Sequence, residues 1–322
     1  LKSTIQKQLL ITGANGFVGQ ALCAQAIAGD LLIKGAVRSA QALPANVAWV
    51  SIGTIDGNTD WHNALQGIDV VVHLAARVHI MDDPASDPLQ AFRQVNVEGS
   101  LNLAKQAALA GVQRFVFISS IKVNGESTAL SQPFQADDTP MPVDAYGISK
   151  YEAEQALRQL ANETGMEVVI IRPPLVYGAG VKANFYSMMR WLDKGIPLPL
   201  GAIHNKRSLV ALDNLVDLII ICIDHPAAAN QIFLVSDGED LSTSELLRHT
   251  ASALGKSAKL LPIPAWLIQT GARLLGKGAM AQRLCGSLQL DITKTRTVLN
   301  WTPPVRVDDA LQKTAHYYRS SL

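Results

Sequence analysis

Hydrophobic and polar positions follow two rhythms along this chain. Short apolar, β-branched runs at residues 8–12, 32–38, 47–52, 69–74, 114–119 and 167–172 predict strands. Between them lie longer stretches, notably 89–110 and 145–164, whose apolar residues return every three to four positions and predict amphipathic helices. Right-handed βαβ crossovers produce this alternation, so the first half predicts an α/β fold with a doubly wound parallel sheet. After Tyr177 the rhythm breaks: Gly178, Gly180, Gly195, Pro197, Pro199 and Gly201 punctuate irregular structure around one short helix. Residues 207–212 and 231–236 read as further strands, Ser242 with Glu245 offers a capping box, and a last helix starts near Asp308.

Charge and composition narrow the function classes. With 28 Lys and Arg against 27 Asp and Glu, the net charge is +1. No broad basic surface is therefore available for nucleic acid, and any anion site must be local. Cys23, Cys222 and Cys285 form no CxxC pair, which argues against a disulfide framework or a thiolate metal site and for a reducing, cytoplasmic location. Leu1 to Thr4 lack the apolar core of a signal peptide. Asp217 interrupts the apolar run 215–223, and Gln269 and Arg273 interrupt 260–275, so neither reaches the roughly 20 residues of a membrane span. Residues 266–275 can nonetheless form an amphipathic surface helix that touches a membrane, the remoter reading of this segment. His73 sits inside an apolar strand and reads as a core residue, and His62, His79 and His204 lack ligand spacing, so no metal site is expected.

Candidate chemistry begins at the end of the first strand. Gly13-Ala14-Asn15-Gly16-Phe17-Val18-Gly19 follows it directly and opens a helix, the context of a Rossmann-like dinucleotide turn. Gly13 permits the tight turn, Gly16 lets the backbone approach a pyrophosphate, and Gly19 lets helix and strand pack closely. Phe17 and Val18 start the helix whose N-terminal N–H groups face the anion. The second strand ends in Arg38 and Ser39 rather than a carboxylate. Arg38 can pair with a 2′-phosphate or stack on adenine, so the expected cofactor is NADP, with NAD as the alternative. Two interleaved parts are expected: residues 1–178 with about 207–238 binding dinucleotide, and residues 179–206 with about 239–322 forming a smaller C-terminal substrate lobe.

Tyr146 and Lys150, four apart at a helix start, share one face. A phenol is a poor base at neutral pH unless neighbouring positive charge stabilises the phenolate, and the Lys150 ammonium together with an oxidised nicotinamide would supply it. Ser119 and Ser120 close a strand at the edge of a parallel sheet where ligands bind. Ser120 is the expected hydroxyl on the reacting oxygen, and Ser119 a backbone or cofactor contact.

Together with His73-Leu74-Ala75-Ala76 and Tyr146-Gly147-Ile148-Ser149-Lys150, these residues resemble the extended short-chain dehydrogenase/reductases. Arg172-Pro173-Pro174-Leu175-Val176-Tyr177-Gly178, residues 207–213 and Leu299-Asn300-Trp301-Thr302-Pro303 resemble their NAD-dependent epimerase/dehydratase branch. The resemblance implies that Ser120, Tyr146 and Lys150 are catalytic, the last two also reaching the nicotinamide ribose. It implies Thr54 and Ile55 near adenine, with Thr54 where an aspartate is common. Leu74, Ala75, Ala76 and Pro173 would line the cofactor, and Asn184, Arg207 and Arg283 would hold a nucleotide diphosphate. Ile121 and Lys122 stand where the sugar dehydratases of the branch carry an Asp-Glu pair, which excludes that elimination. Lys122 would touch a substrate phosphate or point to solvent. The implied function is reduction of a UDP-linked 4-keto sugar in bacterial surface-polysaccharide (O-antigen) synthesis, by a homodimer whose interface includes the Tyr146 helix. A UDP-hexose or N-acetylhexosamine 4-epimerase is the alternative. A non-catalytic NADP sensor and a reductase of small carbonyl compounds are the remoter ones.

Overall fold

The computed structural model describes residues 6–38, 43, 47–78 and 87–321. Seven parallel strands form the main sheet: β1 (Gln8–Thr12), β2 (Leu32–Val37), β3 (Ala48–Ser51), β4 (Val70–His73), β5 (Arg114–Ile118), β6 (Glu167–Arg172) and β9 (Ile232–Leu234). A small second sheet contains β7 (Leu175–Tyr177), β8 (Arg207–Ala211) and β10 (Asp240–Leu241). The main order is β3-β2-β1-β4-β5-β6-β9, so the winding reverses between β1 and β4. In an open α/β sheet such a reversal opens a crevice at the carboxyl ends of the strands.

The two faces of the sheet follow from the period of two along each strand. Leu9, Ile11, Val70, Val72, Val116, Val169 and Ile171 face one layer with α1 (Phe17–Ala28) and α7 (Leu212–Asp224). Leu10, Val71, Phe115, Phe117, Val168 and Ile170 face the other, against α2 (His62–Leu65), α4 (Ser100–Leu109) and α5 (Ala145–Thr164). Both faces are covered, which is why these strands read as continuous apolar runs.

Residues 89–110 do not form one uniform helix. α3 (Pro88–Arg93) passes through a π-helical segment, Gln94–Gly99, into α4. The widened turn carries buried Asn96, whose side chain bonds both Arg77 backbone groups and the Ser149 hydroxyl. It also carries Gly99, where a Cβ would lie 2.7 Å from Ile55 Cγ2. Insertions of this type recur beside functional sites.

The second lobe centres on Tyr177, Phe185, Met189, Leu247, Leu311 and Tyr318. They come from β7, α6 (Ala183–Asp193), α8 (Thr243–Ala253) and α12 (Val307–Ser320). The capping box of Ser242 with Glu245 forms at α8 in both directions. Residues 207–211, grouped above with the dinucleotide-binding part, pair instead with β7 and β10, while Ile232–Leu234 extends the main sheet beside β6. α9 (Ala265–Leu274) and α10 (Gly278–Cys285) complete the lobe, whereas α11 (Thr293–Leu299) packs against β9 of the main sheet, Thr295 Oγ1 donating to Leu234 O at 2.6 Å. Among the described residues, no helix is long and apolar enough to cross a membrane. Ser39 and His79 lie outside the described residues.

Candidate active site

The turn after β1 has the shape its glycines require. Gly13 adopts φ +66°, and a Cβ there would lie 3.0 Å from the Ala75 nitrogen. Gly16 N–H closes the turn on Gly13 O at 2.9 Å, and α1 starts at Phe17 with no side-chain cap and no acidic residue in its first turn. At Gly19 a Cβ would stand 2.1 Å from Gly13 O, which no rotamer relieves. Unpaired N–H groups and the helix dipole at such a turn fit a dinucleotide diphosphate. Thr12 Oγ1 accepts from Ala75 N–H at 3.1 Å, holding the loop Leu74–Ala76 against the turn.

His73 is a core residue. Its ring bonds the Thr12 hydroxyl at 2.7 Å and the Ser100 hydroxyl at 2.9 Å. Burial, with a smaller contribution from Lys150, pushes its pKa down to about 3, so it stays neutral and ties β1 to β4 and α4. Arg38 lies exposed just past β2. Thr54 is also exposed, its carbonyl accepting from the Thr59 hydroxyl at 2.8 Å, and Ile55 is buried under Gly99.

Ser120, Tyr146 and Lys150 meet at the carboxyl end of β5. Asp144 caps α5 by accepting from Gly147 N–H at 2.7 Å, which fixes the first turn that carries Tyr146. The Ser120 hydroxyl lies near enough to the Tyr146 phenol to act on its pKa. Lys150 Nζ donates to Ile118 O at 2.8 Å and lies over the Phe117 ring, 4.3 Å from its centroid. Burial, then Asp144, pushes the Tyr146 phenol up to about 12, with the Ser120 hydroxyl opposing. Burial pushes Lys150 down to about 7, with Glu154 opposing. In the protein alone, without an oxidised nicotinamide, the tyrosine is raised rather than lowered. The Lys150 ammonium is turned to the β5 carbonyl and a ring face, and desolvation dominates both groups.

Lys150 thereby makes stability depend on pH. Its folded value lies below the ordinary 10.5, so unfolding takes up a proton in the window between about 7 and 10.5. The linked stability is fully present above that window and lost as pH falls through about 7. Replacing Lys150 with Met should stabilise the cofactor-free protein at neutral pH by on the order of 1–3 kcal/mol, flatten the rise of Tm across that window and abolish turnover. Calorimetry over the window checks this; an unchanged or lower Tm at neutral pH would count against it.

Beneath the site lies a buried ion pair. Arg172 Nε donates to Glu154 Oε1 at 2.9 Å, and its Nη1 to Asn124 Oδ1 at 2.9 Å. The Ser119 hydroxyl also donates to Glu154, so contact between Ser119 and a cofactor falls to its backbone. Glu154 escaped the sequence reading, although it stands one turn beyond Lys150 on the same helix face, the spacing already used for Tyr146 and Lys150.

In the second lobe Arg207 Nη1 donates to Arg283 O at 2.9 Å and to Gly286 O at 3.1 Å. Burial, then the charge of Arg283, holds the Arg207 guanidinium below its usual range. Two cations brought this close suit a shared anion. Asn184 stands exposed in the first turn of α6. The Lys122 ammonium pairs with Asp144 and with Glu126 at 3.1 Å, two carboxylates of the chain. Ile121 is buried beside it. Pro173 accepts from Ile121 N–H through its carbonyl at 3.0 Å, joining the segment after β6 to the Ser120 turn. Met189 is core and Trp191 half-exposed.

The NAD-dependent epimerase/dehydratase family matches residues 9–236. A Vibrio cholerae protein named UDP-glucose 4-epimerase is 50% identical over 314 residues, covering 97% of this chain and 95% of that protein. A protein of Escherichia coli O157:H7, named N-acetyl-alpha-D-glucosaminyl-diphospho-ditrans,octacis-undecaprenol 4-epimerase, is 28% identical over 323 residues, 96% of this chain and 94% of its own length. Among solved structures, the UDP-N-acetylglucosamine 4-epimerase from Bacillus cereus superposes with a TM-score of 0.80 over 98% of this chain and 100% of its own, at 20% identity, a likeness of fold.

Proposed function

The chain belongs to the NAD-dependent epimerase/dehydratase family, and on that premise we propose that it is a 4-epimerase of a UDP-linked hexose or N-acetylhexosamine. The observation that carries this reading is the 50% identity, along nearly the whole of both chains, to a protein named UDP-glucose 4-epimerase. It moves the epimerase ahead of the 4-keto-reductase that the sequence favoured.

Bound NAD supplies reversible hydride acceptance at the sugar carbon. The chain supplies the rest. Gly13, Gly16 and Gly19 with the N-terminus of α1 hold the cofactor diphosphate, and Lys150 and Tyr146 border the nicotinamide ribose. Tyr146 takes the proton of the C4 hydroxyl and returns it, while Ser120 steadies that oxygen by a hydrogen bond. A phenol held near 12 by burial rests protonated, which suits it to the return step. Its deprotonation needs added positive charge at the site, from protonated Lys150 and the oxidised cofactor. Arg207 and Arg283 hold the substrate diphosphate, with Asn184 beside it. The same reading includes a cytoplasmic homodimer whose interface contains α5.

Arg38 keeps the 4-keto-reductase as the second reading, because it suits the 2′-phosphate of NADPH, the usual donor for a net reduction. The deciding experiment denatures protein isolated without added cofactor, identifies the released nucleotide, and follows UDP-glucose and UDP-N-acetylglucosamine by proton NMR. Retained NAD with C4 epimers formed and no net cofactor consumed supports the epimerase. An empty protein that oxidises NADPH in step with a UDP-4-keto sugar overturns it. Replacing Arg207 with Leu should raise KM for the UDP-sugar by about 10–100-fold with a smaller change in kcat, the loss of one charge-assisted contact. An unchanged KM in steady-state assays would remove Arg207 from the substrate site.

A further inference from the structure

Apart from Arg283, the hairpin of α9 and α10 has no part in the reaction above, and its amphipathicity is inverted. At about 100° per residue, Trp266, Leu267, Thr270 and Leu274 fall within one sector of α9 roughly 100° wide. That sector is the one turned to solvent, whereas Ile268 and Ala272 on the opposite side are half-buried. Trp266 is 64% exposed, Leu274 84% and Leu275 76%, and Met280 and Leu284 extend the patch along α10. No residue of α9 is buried, and in α10 only Ala281 is. A surface helix ordinarily turns such a face toward the core.

Both ends of the hairpin are fixed to the lobe. Pro264 bridges to Ala202, and the carbonyls of Leu284 and Gly286 accept from Asn205 Nδ2. The exposed face is therefore held by the fold. Charge identifies what covers it. From Lys256 to Leu290 the chain carries Lys256, Lys259, Arg273, Lys277 and Arg283 and no acidic residue, although the whole chain is nearly balanced. Lys256 is paired with Asp193, and the other four are exposed. A second copy would set like charges against one another, whereas a surface of anionic phosphates complements them. Tryptophan and leucine on one face with lysine and arginine at its edge is the composition of helices lying in a bilayer interface.

We propose that the α9–α10 hairpin is a membrane-docking element that lays its apolar face into the headgroup layer of an anionic phospholipid bilayer. The docked hairpin holds Arg283, and through it the Arg207 site, within about 12 Å of the membrane surface, the length of a helix the size of α10. Neither helix spans; they lie along the interface.

The test uses the full chain with sedimenting vesicles of phosphatidylcholine alone or with about 30 mol% phosphatidylglycerol. Co-sedimentation should favour the anionic vesicles at least tenfold and weaken at about 0.5 M salt. The triple variant Trp266→Ser, Leu274→Ser, Leu275→Ser should lose it while its circular dichroism and UDP-sugar turnover stay those of the parent. Absence of partitioning, equal partitioning of the variant, or a dimer in sedimentation velocity that the variant alone loses would each overturn the proposal. The last would assign the face to a second copy. Vesicle binding is read without turnover, so its outcome stands apart from that of the epimerase reading.

Discussion

Replacing Tyr146 with Phe should lower kcat by about 10²–10⁴-fold while leaving cofactor affinity within a few-fold of the parent, because the change deletes one phenolic oxygen and keeps the ring that packs edge-on against Phe92. That oxygen is the proton carrier of the proposed reaction, and the neighbouring Ser120 is left to hold the substrate oxygen without exchanging its proton. Rapid-quench turnover with UDP-glucose, alongside calorimetric titration with NAD, separates the two effects. Activity within tenfold of the parent would remove Tyr146 from the chemistry. In the parent, the phenol is pushed up to about 12 by burial and by Asp144. Asp144→Asn should therefore ease its deprotonation and shift the pH–rate profile toward lower pH, at the cost of a charged α5 cap.

The second large effect lies beneath the site. Replacing Glu154 with Leu strands Arg172, which is 1% exposed, without its carboxylate, and should destabilise the fold by about 3–5 kcal/mol. That is a large part of the roughly 5–15 kcal/mol that holds a domain folded. Urea unfolding reads it as a lower midpoint at constant m. Pairing the change with Arg172→Met removes the orphaned charge and should recover most of the loss, since an apolar pair of similar volume often matches a buried ion pair. The Ser119 hydroxyl has no acceptor at Glu154 in the double variant, and the charge that opposes the fall of the Lys150 pKa is gone. Turnover should thus stay reduced, with its pH profile moved down, even where stability returns. Glu154→Leu within about 1 kcal/mol of the parent would show that the pair is solvated and the burial argument wrong.

The chemistry of this site was legible where one residue type is forced by backbone geometry or by spacing on a single element. The glycine turn belongs to that class: Gly13 needs its positive φ, and Gly19 abuts a carbonyl oxygen. Tyr146 and Lys150 share a face because four residues make about one helical turn. Ser120 was placed by strand-end logic, and β5 does end two residues before it. The pairing of Lys122 was not legible, because the chain around it gives no hint that Asp144, twenty-two residues on, returns to it.

What the sequence determined by itself was the doubly wound sheet, the first-half strands to within two residues at either end and the capping box at α8. All of these follow from periodicity or from contacts within one βαβ unit. Tertiary structure alone decided the rest. It diverted β8 into a second sheet, widened one turn between α3 and α4 around Asn96, and joined Glu154 to Arg172. It turned Lys150 toward Ile118 and set Arg207 beside Arg283 across 76 residues. The reason is physical: burial and long-range pairing fix the charge state and direction of a side chain, and neither is a property of its neighbours along the chain.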